Sequence, residues 1–292
     1  MPVAPPPAAG DLPPLSSLER VVLRARPDAD LRLYCLPPAG AGPEFFHSWQ
    51  RLLPPSVEPC SVSLPGRGPR SGEPSVTDSV QFAARLAHIL DDPGDPRPYA
   101  VFGHSCGALL AFEAVRRLRG SSGRMPFLLA LSSMAAPHLG TYATALPCRL
   151  IAGLDGLTDL VGPVPEQLLE NHQLLAAACT PVLADLLLLL QHHHRDEPPL
   201  DVPLALYGGQ DDPVTDPDAL TAWNDLVTRP ATPHYFPGGH MYPTAQAPAL
   251  VGRLLDDLSA AIRDTATPDP ATLDPATPDT PNGGRLLAFA RP

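Results

Sequence analysis

Ser105 stands between two glycines in Gly103-His104-Ser105-Cys106-Gly107, directly after the apolar run Tyr99-Ala100-Val101-Phe102. This is the G-x-S-x-G nucleophile elbow, a sharp strand-to-helix turn with the serine at its apex. The glycines are needed where the turn brings backbone into close contact, since a Cβ does not fit there easily. A serine hydroxyl is a weak nucleophile at neutral pH, so it requires a base, and the base requires an orienting acid. His240, alone in the Gly238-Gly239 loop that follows an apolar segment, suits the base. The acid belongs at the end of the preceding strand, which leaves Asp211 or Asp212 after Gly208-Gly209-Gln210. Periodicity does not separate the two. Asp212 is preferred because Pro213 follows it and fixes the turn.

Acyl transfer also needs donors for the developing oxyanion. One is the backbone N–H of Cys106, next to the nucleophile, and the other belongs to the loop after the first long strand. Pro37 and Pro38 have no N–H there, so Ala39 is the first available donor, with Gly40 next. The Cys106 thiol has no evident base of its own and is not taken as a nucleophile. His104 reads as a supporting residue. His192, His193 and His194 are consecutive, cannot converge on one ion from a helix, and read as a solvated helix end.

These groups have to be positioned by a regular scaffold. Strand patterns at Leu31–Leu36, Val57–Leu64, Tyr99–Phe102, Phe127–Leu131, Pro203–Tyr207 and Thr232–Phe236 alternate with helical ones at Val80–Leu90, Ala108–Val115 and Leu250–Arg263. Such alternation predicts a mostly parallel sheet with helices on both faces. From about 139 to 200 the strands stop and helical patterns such as Pro165–Glu170 and Leu183–Gln191 take over. An insertion of that kind after a strand lies over the carboxyl edge of the sheet, as a lid.

Composition bounds the answer further. The 292 residues, 44% hydrophobic, suffice for a large single core. The net charge is −11 and every basic residue is arginine, so neither nucleic acid nor an anionic membrane surface is an expected partner. Five scattered cysteines without a CxxC argue against a disulfide framework or a zinc site, and no metal or cofactor is expected. No signal-peptide pattern is legible, and the run Leu183–Leu190, broken by Asp185, is too short to span a bilayer. A cytoplasmic monomer is the expectation. Residues 1–14, rich in Pro and Ala, read as a flexible start, residues 15–264 as the folded domain, and the Pro/Asp/Thr-rich stretch 265–292 as a disordered tail.

LYCLPPAGAGPEFFHSW (33–49), SLPGRGPRSGEP (63–74), YAVFGHSCGALLAFE (99–113), LALYGGQDDP (204–213) and FPGGHMY (236–242) together resemble the type II thioesterases that accompany polyketide synthases and nonribosomal peptide synthetases. The resemblance implies an α/β-hydrolase fold with a helical lid insertion and Ser-His-Asp catalysis. It implies Ser105 as nucleophile, His240 as base, Asp212 as orienting acid, and the Ala39 and Cys106 amides as oxyanion hole. It also implies an editing activity that removes stalled or misprimed acyl groups from the phosphopantetheine arm of carrier proteins. Two positions depart from the family pattern: Cys106 replaces a frequent methionine, and Pro38 stands where histidine or tyrosine is common. In Pro181-Val182-Leu183-Ala184-Asp185, Leu183 occupies a place commonly held by arginine. Arg67, Arg70, Arg116, Arg117 and Arg119 are candidate carrier-docking residues. The alternatives are a product-releasing thioesterase or carboxylesterase, and a noncatalytic carrier-binding module.

Overall fold

The computed structural model describes residues 18–121 and 123–266. The flexible start expected at 1–14 lies outside them, as does the tail expected at 265–292 apart from its first two residues, which continue the last helix.

Among the described residues, strands β1 (Glu19–Val22), β2 (Leu31–Leu36), β3 (Val57–Ser63), β4 (Tyr99–His104), β5 (Leu128–Ser132), β6 (Leu204–Gly209) and β7 (His234–Phe236) form one sheet. Its order is β1-β3-β2-β4-β5-β6-β7. Every neighbouring pair is parallel except β1 with β3. β2, β4, β5 and β6 are buried along their whole length, which is why they read as unbroken apolar runs rather than as alternations. β1 was not expected. Its four residues, Glu-Arg-Val-Val, lie on the sheet edge with no buried position, so no apolar period marks them.

The helices are α1 (Trp49–Leu52), α2 (Ser79–Leu90), α3 (Cys106–Gly120), α4 (Thr141–Ile151), α5 (Leu154–Val161), α6 (Glu166–Leu169), α7 (His172–Gln191), α8 (Pro217–Thr221), α9 (Tyr242–Ala245) and α10 (Ala247–Ala266). They cover both faces, as the alternation predicts. On one face Phe46 and Trp49 pack with Leu250, Leu254 and Leu258 of α10 against Leu31, Leu33 and Phe102. The spacing of those leucines, one turn apart, puts them in a single stripe, and truncating one to alanine costs about 2–5 kcal/mol. On the other face α2 and α3 bury Phe82, Leu86, Leu109 and Phe112 with Val101 and Leu131. α2 starts where Asp78 accepts the Val80 and Gln81 N–H groups at 2.9 and 3.0 Å.

Helices α4–α7 form the insertion between β5 and β6. Its last helix differs from expectation: Pro181 lies inside α7, so the apolar pattern that seemed to begin at Leu183 belongs to a continuous helix of 20 residues. By length and composition alone α7 would suffice to cross a membrane, a test that a core helix also passes, and the run Leu183–Leu190 is only its second half. In the fold it packs on α2, α3 and α4, with Ala184, Asp185, Leu186, Leu188 and Leu189 buried.

Candidate active site

Ser105 caps β4 and starts α3 with φ +53° and ψ −124°, a backbone conformation that side-chain-bearing residues rarely adopt. The surroundings enforce it. A Cβ on Gly103 would lie 2.4 Å from the Gly107 carbonyl oxygen, and one on Gly107 would lie 2.4 Å from that of Leu36. The Ser105 N–H donates to the Ser132 carbonyl at 2.8 Å, fixing the elbow to β5.

The His240 loop and the acid loop meet at this apex. Gly209 closes β6 so near the β7 loop that a Cβ there would sit 2.5 Å from the Gly239 carbonyl oxygen. The Asp211 N–H donates to the Gly238 carbonyl at 3.0 Å. These contacts bring His240 Nε2 to 2.9 Å from Ser105 Oγ, and Nδ1 to 3.0 and 3.1 Å from the two Asp212 oxygens. Asp211 is exposed and contributes backbone, while the Asp212 carboxylate faces the imidazole. Burial raises the Asp212 carboxyl, but the hydrogen bond and charge of His240 and the Val214 N–H outweigh it and hold the group below its ordinary range. A carboxylate in that position favours the tautomer with its proton on Nδ1, leaving Nε2 to accept from the serine.

His104 is fully buried, with Nδ1 2.9 Å from Ser132 Oγ, which in turn lies 2.7 Å from the Tyr242 hydroxyl. Burial and the neighbouring His240 push its pKa well down, which favours the neutral imidazole. Burial, reinforced by the Asp185 charge, pushes the Cys106 thiol well up, which disfavours its thiolate. The Cys106 N–H lies at the first position of α3, where no helical acceptor exists. In the other loop the Gly40 N–H is taken by Asp185 Oδ2 at 2.8 Å. Of the two successive amides offered by the sequence, Ala39 is therefore the one without an acceptor among the described residues.

A cavity of about 130 Å³ opens at Ser105, walled by Met134 and Ala135 after β5 and by Tyr142, Leu146, Leu160 and Leu189 from the insertion. The Tyr142 hydroxyl is held by His192 Nδ1, whose Nε2 lies 3.0 Å from Glu113 of α3. His192 is 7% exposed, so the expected solvated end is corrected there: the imidazole ties the insertion to the core. Two docking candidates are corrected likewise. Arg67 is buried against Asp185, and Arg116 is largely buried between Glu113 and Glu197, so both charges are already paired within the fold. The Arg67–Asp185 pair spans 118 residues and was not legible in sequence; its one signal was the lone charge inside an apolar run.

A profile of the thioesterase domain family matches residues 31–258. The gramicidin S biosynthesis protein GrsT of Aneurinibacillus migulanus is 29% identical over 73% of this chain and 83% of its own. The protein named linear gramicidin dehydrogenase LgrE of Brevibacillus parabrevis is 33% identical over 74% of this chain and 82% of its own. Among solved structures, the type II thioesterase BorB of the borrelidin biosynthetic cluster superposes with a TM-score of 0.67 at 30% identity, over 82% of this chain and 97% of that one. With this match across the sheet, the elbow and the insertion, the chain belongs to the thioesterase domain family, as a serine hydrolase of the α/β-hydrolase fold that acts on thioesters.

Proposed function

We propose that this thioesterase edits carrier proteins, hydrolysing short acyl groups stalled on their phosphopantetheine arms by Ser105-His240-Asp212 catalysis. The observation that carries the mechanism is the continuous hydrogen-bonded line from Ser105 Oγ through His240 to Asp212, at 2.9 and 3.0 Å, opening on an apolar cavity. His240 Nε2 takes the serine proton as Oγ attacks the thioester carbonyl. The Ala39 and Cys106 N–H groups receive the oxyanion of the tetrahedral intermediate. Collapse expels the thiolate, which is protonated by His240, and leaves acyl-Ser105. Water then attacks with His240 again as base, and the free acid departs.

Cavity size favours editing over product release. At about 130 Å³ the space beside Ser105 is well under the roughly 300–1,000 Å³ of sites that enclose drug-sized molecules. A space of that size matches a short acyl chain and so supports the editing reading over release of a finished polyketide or peptide. The helical insertion acts as the lid that shapes this space, and relatives such as GrsT and BorB, named for gramicidin S biosynthesis and for the borrelidin biosynthetic cluster, support a carrier-bound substrate. Binding energy from a remote pantetheine arm can orient the thioester, and a truncated thiol forfeits it. One short acyl group should therefore be hydrolysed with higher kcat/KM on carrier protein than on CoA, and least on a minimal thiol. Equal rates on all three, or a preference for a full-length product chain, would overturn the editing assignment.

A further inference from the structure

Asp185 lies within the most apolar stretch of the insertion, only 4% exposed. A carboxylate buried there requires partners for its charge. Arg67 supplies two, with Nη1 and Nη2 each 2.6 Å from a different carboxylate oxygen. Oδ2 accepts in addition the Gly40 N–H at 2.8 Å, and Arg67 Nη1 donates to the Ala41 carbonyl at 3.0 Å. The two halves of one ion pair thus hold consecutive residues of the loop after β2. α7 sits directly on that loop: Gly40 has φ +80°, and a Cβ on it would lie 2.3 Å from Val182 Cγ2, one turn before Asp185.

The Ala41 N–H closes a turn on the Pro38 carbonyl at 3.1 Å. In a trans peptide the carbonyl and the next N–H point in opposite directions, so this bond directs the Ala39 N–H away from the turn interior. On the other side of the site, the Cys106 thiol contacts the Asp185 carbonyl oxygen at 3.9 Å. A single residue of the insertion therefore touches both segments that offer oxyanion donors.

We infer that Asp185, with Arg67 as its counter-charge, is a positioning residue for the oxyanion hole: by holding the Gly40 N–H from helix α7 it keeps the Ala39 amide in place and makes a formed hole depend on a seated lid. The inference rests on the proposed role of Ser105 as nucleophile. A loop bearing glycine at positive φ is soft, and a donor misplaced by about 1 Å costs on the order of 10²-fold in rate.

The test compares Arg67→Met/Asp185→Asn with Arg67→Met/Asp185→Leu. Both remove the charges together, so neither strands a buried ion. Only the asparagine keeps an oxygen for the Gly40 N–H. The leucine double variant is expected to lose about 10–100-fold in kcat against the asparagine one, within the ~10²–10³-fold attributed to a lost hole donor, with KM within about twofold. Its affinity for an alkylboronic acid, which forms a tetrahedral adduct on a serine, should fall in parallel. Arg67→Met/Asp185→Ala replaces the leucine form if that does not fold. Equal kcat and equal boronate affinity in the two variants would overturn the inference while leaving the mechanism standing. Full hydrolysis by Ser105→Ala, run alongside, would overturn both.

Discussion

The elbow stores strain, and two substitutions at one position measure it. With φ +53° and ψ −124°, Ser105 occupies backbone space that costs a residue bearing a Cβ about 1–3 kcal/mol and glycine almost nothing. Ser105→Ala keeps the Cβ and hence the strain, whereas Ser105→Gly releases it. Both lose Oγ and its 2.9 Å bond to His240, so their difference cancels that loss. Glycine returns about 0.5–1 kcal/mol through the greater freedom of its unfolded chain. Ser105→Gly should therefore be more stable than Ser105→Ala by about 1 kcal/mol, which in a domain of this size raises Tm by about 2–4 °C. Thermal melts of the two proteins in one buffer, followed by hydrolysis assays, decide it. Both variants should retain only the roughly 10³–10⁴-fold advantage over water that hole and binding provide. A glycine variant melting at or below the alanine variant would refute the reasoning, because the backbone would then store no energy at its apex.

Asp212→Asn should lower kcat about 10⁴-fold by spoiling the His240 tautomer, while Asp211→Asn, whose side chain is exposed, leaves kcat near wild type; similar losses in both would displace the acid. Stability should fall in acid. The Arg97 hydrogen bond, with Arg32 nearby, holds the Asp95 carboxyl far below its ordinary range, and Glu58 and Asp212 are also lowered despite burial. Folded-state values below the unfolded ones, about 4, contribute stability above that pH that disappears as pH falls through the folded values. Tm should be level from pH 7 to about 5 and drop below about 4, less steeply in Asp95→Asn; an equally steep drop in the variant would refute the role given to Asp95. Gly107→Ala places a Cβ 2.4 Å from the Leu36 carbonyl oxygen and 2.6 Å from that of Pro37, backbone that cannot rotate aside. Overpacking of this kind costs about 1–3 kcal/mol, readable in urea melts, and should shift the oxyanion loop and lower kcat; an unchanged protein would show that α3 and β2 are free to separate.

The chain by itself determined the features that depend on neighbouring residues. Glycine two places either side of Ser105, apolar runs of strand length, and glycine pairs before Asp212 and His240 are local steric demands, and each is visible wherever the backbone has to pass close to itself. The parallel sheet with helices on both faces followed from the alternation, since strands buried on both sides must be apolar throughout. What local pattern leaves undetermined is which distant group a side chain meets. Pro213 gave sequence grounds to prefer Asp212 over Asp211, but the geometry that exposes one and turns the other to His240 comes from the interlocked β6 and β7 loops. The same limit hid β1, an edge strand with no buried position, and the burial of His192, whose partners Tyr142 and Glu113 come from two other helices. It also hid the Arg67–Asp185 clamp. A charge in an apolar run announces that a partner is needed, but only the packing of α7 against the oxyanion loop decides that the partner lies 118 residues away and that the pair also holds the Gly40 amide.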